Sequence, residues 1–322
     1  MMRMKFSDAD KLSFSSAPIH FNFDTAIITG TCRSGKTTLG NLLGTCKSVE
    51  NVEEPWTAKL IPLMSGLGLM DEAIGKEMFL SYITELFNEM VLLRRANFRP
   101  GDLSCVWAQK NPEEVHLRLT GVNTRTEVKE YATEHSSMLL LNLTEVVPFL
   151  QFFFDIMPKT KLIYLLRKGK DVAYDCLEKH WFSDAQLKTP IKALPYQQYE
   201  YKGITWHLPW WISQGEEGLF ISYSEYDRCI YYWCQTEQSG YSIVKRLIKE
   251  GSCHHVDYED LITTPRKILG SAAEFLEVDT TPMTEMAIAK LQLRSHRSCN
   301  YSIRDNALKY RYETVYSQLF SS

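Results

Sequence analysis

The 322-residue sequence has no Cys-x-x-Cys pair: its eight cysteines are scattered from Cys32 to Cys299 with no short framework spacing. That excludes a zinc ribbon, a thioredoxin-type redox motif and a small disulfide scaffold, and reads as reduced thiols in a cytoplasmic protein. The opening Met1 to Phe14 has no apolar core of the signal-peptide kind. Long hydrophobic runs are lacking too. The most apolar stretch, Val146-Val-Pro-Phe-Leu-Gln-Phe-Phe-Phe154, is short and interrupted by Pro148 and Gln151, so no membrane span is expected. Nor is there an excess of one charge. Thirty-six Lys and Arg stand against 39 Asp and Glu, a formal net charge of −3, which leaves no global basic field for nucleic acid or an anionic membrane. Any phosphate site must be local.

No internal repeat or low-complexity tract interrupts the chain, and 44% hydrophobic with 12% aromatic residues is enough to build a core without staples. Thr25-Ala-Ile-Ile-Thr29 reads as a strand that stops at Gly30, followed by leucines 39, 42 and 43 at helical spacing. A second strand is expected near 48–52, ending at Glu53-Glu54-Pro55, and an amphipathic helix over 78–95. Cys105-Val-Trp-Ala108 reads as a further strand, with Lys110 just beyond its end, and the polar residues 120–137 as a surface insertion. A helix is expected over 144–157. Lys161-Leu-Ile-Tyr-Leu-Leu166 has the unbroken apolar character of a central parallel strand, leading through Arg167 into a helix with Asp171 as its N-cap. Residues 183–226, rich in Tyr, Trp, Pro and Gly, read as an acceptor-side insertion or lid. Helices over 226–250 and 265–276 flank a last strand over 254–258. The strand-then-helix order predicts an α/β fold, a central parallel sheet flanked by helices, as one domain over residues 1–322.

Gly30-Thr-Cys-Arg-Ser-Gly35-Lys36-Thr37 satisfies G-x-x-x-x-G-K-[ST] between a strand and a helix, the context in which backbone N–H groups and a lysine cradle phosphate. Taken alone, this P-loop favours a nucleotide hydrolase or kinase. Such an enzyme needs an apolar strand ending in a metal-binding Asp. The only literal candidate, Phe152-Phe-Phe-Asp155, lies in a segment that reads as helix, while the clear strand 161–166 ends in Arg167. A cation at that place suits a second anion better than a metal.

Four segments together resemble the sulfotransferases that use 3′-phosphoadenosine-5′-phosphosulfate (PAPS). Arg33-Ser-Gly-Lys-Thr-Thr-Leu39 is similar to that family's R-S-G-T-T-L loop. Lys161 to Ala173 resembles its strand-loop-helix for the donor 3′-phosphate. Trp107-Ala-Gln-Lys-Asn-Pro112 resembles its K-x-P segment, and Tyr258-Glu-Asp-Leu-Ile-Thr-Thr-Pro265, followed by Phe275-Leu276, its Y-E-D-L signature. The resemblance implies a donor site formed by Cys32, Arg33, Ser34, Gly35, Lys36, Thr37, Thr38 and Arg167, and a metal-free transfer of sulfuryl to a hydroxyl or amine. It also implies Glu54 as general base, with Glu53 as runner-up, and Lys36 and Lys110 as cations that balance charge in the transition state. The bland alternatives are solvated loop carboxylates and a surface lysine.

Two positions depart from the family pattern. Lys36 stands where a Thr or Ser is usual, completing the Walker-type loop, and Asp175 stands where a Ser usually meets the 3′-phosphate. Either Asp175 turns away, or the phosphate is held by Arg167 with Lys168, Lys170 or C-terminal basic residues. Among the latter, Arg297 and Arg304 occupy the place of the family's donor-closing loop, which here lacks glycine. The histidine pairs 254–255 and 180 with Trp181 have no partners at ligand spacing. The rings of 183–226 suit a sugar or small-metabolite acceptor, or simply pack the insertion. A P-loop kinase using ATP and Mg²⁺, and a nucleotide-binding protein without transfer activity, are the competing functions.

Overall fold

The computed structural model describes residues 21–94, 97–189, 195–291 and 301–320. Five strands form one parallel sheet: β1 (Asp24–Thr29), β2 (Val49–Glu53), β3 (Met138–Asn142), β4 (Lys161–Leu166) and, last in the chain, β7 (Cys253–Asp257). Their order is β2-β3-β1-β4-β7, every pair parallel. The intervening β5 (Tyr196–Tyr201) and β6 (Ile204–Pro209) form a separate antiparallel hairpin.

Successive residues of each strand point to opposite faces, and both faces are covered. Ile27, Leu139, Leu141, Leu162 and Tyr164 enter one apolar cluster, whereas Ala26, Ile28, Leu140, Ile163 and Leu165 enter the other. Burial on both sides is why these strands read as unbroken apolar runs. Helices cover both faces. Lys36–Leu43, Pro265–Leu276 and Tyr258–Thr263 pack Leu39, Leu42, Leu269 and Leu261 onto the second cluster, and the long Glu225–Lys249 packs Ile230, Tyr232 and Trp233 onto the first.

Several local expectations need correction. Residues 105–108 are no strand: Val106–Gln109 is one helical turn, and a four-residue apolar run does not by itself separate the two. The third strand along the chain is instead β3, in a segment that shows no alternation because all five residues are buried. The polar residues 120–137 hold the end of one helix and the whole of a second. Pro112–Gly121 is capped by Asn111, whose side chain accepts from the Glu114 N–H at 2.7 Å, and Arg125–Glu134 is opened by a Thr124/Glu127 capping box. The amphipathic helix starts earlier than expected, at Glu72 behind an Asp71 cap. The expected helix over 144–157 is a 3₁₀ turn, Val147–Phe149, running into Leu150–Ile156. The helix after β4 begins at Gly169 with Lys168 at its cap, which places Asp171 inside its first turn.

Candidate active site

Open α/β sheets bind ligands beyond the carboxyl ends of their strands, and a cleft of about 870 Å³ lies there. Each sheet strand delivers residues to it. Beyond β1 comes the loop Cys32–Thr38; at the end of β2, Glu53 and, just past it, Glu54; beyond β3, Thr144; beyond β4, Arg167; beyond β7, Tyr258.

The loop is tight because glycine permits it. Gly35 has φ +95°, and a Cβ there would lie 2.5 Å from the Tyr258 ring; one on Gly30 would lie 2.2 Å from the Leu165 carbonyl oxygen. The Cys32 N–H donates to the Tyr232 hydroxyl at 2.9 Å, which pins the loop from below. Lys36, 5% exposed, folds back so that Nζ donates to the Thr31 carbonyl at 2.6 Å and to Ser34 Oγ at 3.3 Å. Burial pulls its pKa down, against the nearby acidic side chains of Cys32, Glu54, Glu145 and Glu53. Such a lysine is poised to exchange internal acceptors for a phosphate oxygen.

The two glutamates after β2 are not equivalent. Both Glu53 oxygens are engaged: Oε1 accepts from Thr37 Oγ1, and Oε2 from Asn142 Nδ2 at 2.5 Å. Burial, with the neighbouring Glu54 charge, raises the Glu53 pKa despite these bonds and despite Lys36. Glu54 is exposed to the cleft and accepts one hydrogen bond at Oε1 from Thr144 Oγ1, 2.5 Å long. Its backbone sits at φ 42°, disfavoured for a side-chain-bearing residue, and is held there by its N–H bond to the Asn142 carbonyl at 3.1 Å. Strain of this kind concentrates where a side chain must be aimed.

On the opposite wall Arg167 Nη1 donates to the Arg33 carbonyl at 2.6 Å and to Asp175 Oδ2 at 2.7 Å, and its guanidinium lies 4.3 Å from the Tyr258 ring centre. Arg33 Nε stands 3.7 Å from the same Asp175 oxygen. Asp175 therefore turns toward the cations. The Nε–H groups of both arginines are buried and donate to no hydrogen-bond acceptor among the described residues. Two unfilled guanidinium donors beside a glycine-tight loop fit a bisphosphorylated nucleotide: the loop and Lys36 for one phosphate, Arg33 and Arg167 for the other.

A second cavity, about 260 Å³, adjoins the cleft. It is walled by Trp56, Trp181, Phe182, Trp210 and Trp211, and it shares Cys32, Glu54, Thr144 and Trp181 with the cleft. Two half-buried charges in its wall are paired: Lys59 Nζ lies 3.0 Å from Glu145 Oε2. Burial works against the Glu145 charge, but Lys59, the Tyr232 hydroxyl and Lys36 hold its pKa low. The aromatic segment 183–226 divides between two tasks. Tyr196, Trp210 and Trp211 face this cavity, whereas Trp206, Phe220 and Tyr226 are buried in the core.

Not every residue expected at the site is there. Lys110 is 3% exposed at the opposite end of β2, where Nζ donates to the carbonyls of Val49 at 2.6 Å and Cys46 at 3.4 Å and lies 3.7 Å from Glu50. Without a strand at 105–108, nothing carries Lys110 to the sheet's carboxyl edge. Arg304 lines a neighbouring groove with His180 and Glu225, its N–H bonded to Asp227 Oδ1 at 3.1 Å. Arg297 lies outside the described residues. Asp155 is on a helix and pairs with Lys76 at 3.1 Å. Trp181, which follows the helix after β4 and with His180 suits the lining of an acceptor pocket, stands in the walls of both cavities; Thr144 lines both as well, and Tyr258 the cleft. Tyr258 is marked in the sequence by opening the Y-E-D-L segment; Thr144 follows β3 in a segment with no motif to mark it. Among the described residues no group of three or more His, Cys, Asp or Glu side chains is placed to hold a metal, no helix is long and apolar enough to cross a membrane, and the seven cysteines are free and buried.

Comparison with known families gives the same answer as the loop, the strand-end arginine and the Tyr258 segment. The model of the sulfotransferase domain matches residues 23–312. The chain belongs to the sulfotransferase family. Among solved structures, this sulfotransferase is similar to the sulfotransferase domain of the Synechococcus PCC 7002 olefin synthase, with 16% identity, 94% of this chain and 92% of that chain covered, and a TM-score of 0.45. The sulfotransferase domain from the curacin biosynthetic pathway is 13% identical, over 92% of this chain and 97% of that one, with a TM-score of 0.49. Sulfotransferase STF9 from Mycobacterium avium is 11% identical, over 94% and 77% of the two chains, with a TM-score of 0.45. No curated protein matches the sequence.

Proposed function

We propose that the protein transfers a sulfuryl group from PAPS to the hydroxyl of a small, uncharged acceptor with a flat apolar face, with Glu54 as general base. The observation that carries this reading is the position of Glu54 and Thr144, which line both the polar cleft and the aromatic cavity. A group reaching out of one cavity meets a group reaching out of the other beside that carboxylate. The cavity's rings favour a flat acceptor, and because Lys59 and Glu145 neutralise each other, neither is left to select a charged one.

PAPS supplies the sulfuryl group; the acceptor oxygen forms the new S–O bond as the bond from sulfur to the bridging phosphate oxygen breaks. Glu54 takes the acceptor's proton, and Thr144 fixes the carboxylate's direction. Lys36 turns from the Thr31 carbonyl to balance the charge on the departing phosphate. Glu53, with both oxygens engaged, is the poorer base. Lys110, remote from the cleft, takes no part in this scheme. Binding and orientation at the other phosphate fall to Arg33 and Arg167.

A second reading, a Mg²⁺-dependent P-loop kinase, draws on one specific feature: the Thr37 hydroxyl meets a strand-end carboxylate, Glu53, the pairing from which a phosphate-bound Mg²⁺ is held in P-loop enzymes. The experiment that separates the readings is incubation with PAPS carrying radiolabelled sulfur and a panel of phenols, aryl alcohols and monosaccharides in EDTA. Label moving to a phenol or aryl alcohol supports the proposal. No transfer in EDTA, with γ-phosphate transfer from ATP·Mg²⁺, would favour the kinase.

A further inference from the structure

Asp175 makes an unusual neighbour for a phosphate site. It projects from the helix Gly169–Glu178 into the cleft, and one oxygen, Oδ2, faces both Arg167 Nη1 at 2.7 Å and Arg33 Nε at 3.7 Å. We propose that Asp175 determines nucleotide specificity: its carboxylate holds the place between Arg33 and Arg167 that a second phosphate would take, so a 3′-phosphorylated nucleotide binds there only by displacing it. This rests on the reading of the cleft as a PAPS site.

The geometry favours competition over a fixed structural pair. Arg167 is positioned without Asp175, by its bond to the Arg33 carbonyl and its stacking on Tyr258. The carboxylate leaves Nε of both arginines unfilled, whereas a phosphate, with three acceptor oxygens, can meet both groups at once. Asp175 is also able to leave. Its side chain is 25% exposed, against 14% for Arg167, so rotation returns the carboxylate to water at little desolvation cost. While it stays, its charge repels an incoming dianion. The consequence is a donor site that grips a 3′,5′-bisphosphate more weakly than its two arginines would allow, and that favours release of the product adenosine 3′,5′-bisphosphate (PAP) after transfer.

The test is calorimetric titration of the full chain, native and with Asp175→Asn or Asp175→Ser, with PAP and with adenosine 5′-monophosphate, which lacks the 3′-phosphate. Neutralising the carboxylate should tighten PAP at least about tenfold, the scale of one charge-assisted contact, and change the monophosphate by less than about twofold. Two variants guard against one that folds poorly. If the native protein binds PAP and both substitutions leave that affinity unchanged or weaken it, Asp175 orients Arg167 and the proposal fails alone. Equal tightening of both nucleotides also overturns it, as a general charge effect. If neither native nor variant protein binds PAP while ATP·Mg²⁺ binds, the PAPS reading falls and this inference with it.

Discussion

Thr144 Oγ1 donates a 2.5 Å hydrogen bond to Glu54 Oε1, joining the second residue beyond β3 to the first residue beyond β2. The bond fixes the direction of the one carboxylate shared by the cleft and the aromatic cavity whose oxygens are not both engaged by protein donors. A proton acceptor at that junction typically contributes about 10²–10⁴-fold to rate. Glu54→Gln should therefore leave PAP affinity within about twofold while lowering turnover by about a hundredfold or more. Thr144→Val, which removes only the orienting bond, should cost several-fold in turnover with the pH profile retained. Steady-state rates beside PAP titrations check both. Full activity in Glu54→Gln with loss in Glu53→Gln would move the base to Glu53.

Lys110 offers the opposite test. It shares Glu50 with Arg118, which grips that carboxylate at 3.0 and 2.5 Å. Burial alone would raise the Glu50 pKa, yet Arg118 and Lys110 hold it down to about 2. Breaking a buried pair costs roughly 3–5 kcal/mol, and Arg118 remains to limit the loss. Lys110→Met should lower the thermal midpoint by several degrees and leave PAP binding by the folded protein intact. An unchanged midpoint together with lost nucleotide binding would return Lys110 to the site.

Beneath the loop, Glu237 is buried against Tyr164, whose hydroxyl donates to it. Burial raises its pKa to about 7, despite the bond from Tyr164, the nearby Thr31 hydroxyl and the charge of Lys36. Its proton is held more firmly in the folded protein than in the unfolded chain. The stability it contributes is therefore fully present below about pH 4.5 and is lost as pH rises through about 7. Over that interval the loss approaches about 3 kcal/mol. Denaturant titrations of the native protein and Glu237→Gln at pH 5, 7 and 8.5 should show the variant gaining relative stability as pH rises. Parallel curves would mean that Glu237 does not titrate in this range.

How much of this was legible in the residues follows from what each signal depends on. The phosphate loop is local chemistry: two glycines, a lysine and a flanking strand and helix stand in one short segment, and the fold keeps them so. Lys161–Leu166 and Pro265–Leu276 were equally plain, the one an unbroken apolar run and the other a helix with Pro at its first turn. Met138–Asn142 was not, because a short run of Met and Leu without β-branched or aromatic residues reads equally as strand or helix, and Cys105–Ala108 offered a rival run. Losing β3 lost Thr144 and misplaced Lys110. The meeting of Asp175 with Arg33 was likewise hidden, since it joins residues 142 positions apart through the packing of the helix Gly169–Glu178 against the loop.

The central claim is that this cleft holds a 3′,5′-bisphosphate without a divalent cation. Calorimetry of the native protein with PAP in EDTA, against ATP with Mg²⁺, tests it most directly, with Lys36→Ala as control. PAP should bind in EDTA at one site, and Lys36→Ala should weaken it by about 1.5–3 kcal/mol, the worth of a hydrogen bond to a charged group. Binding of ATP only with Mg²⁺, with no heat from PAP in EDTA, would contradict the account.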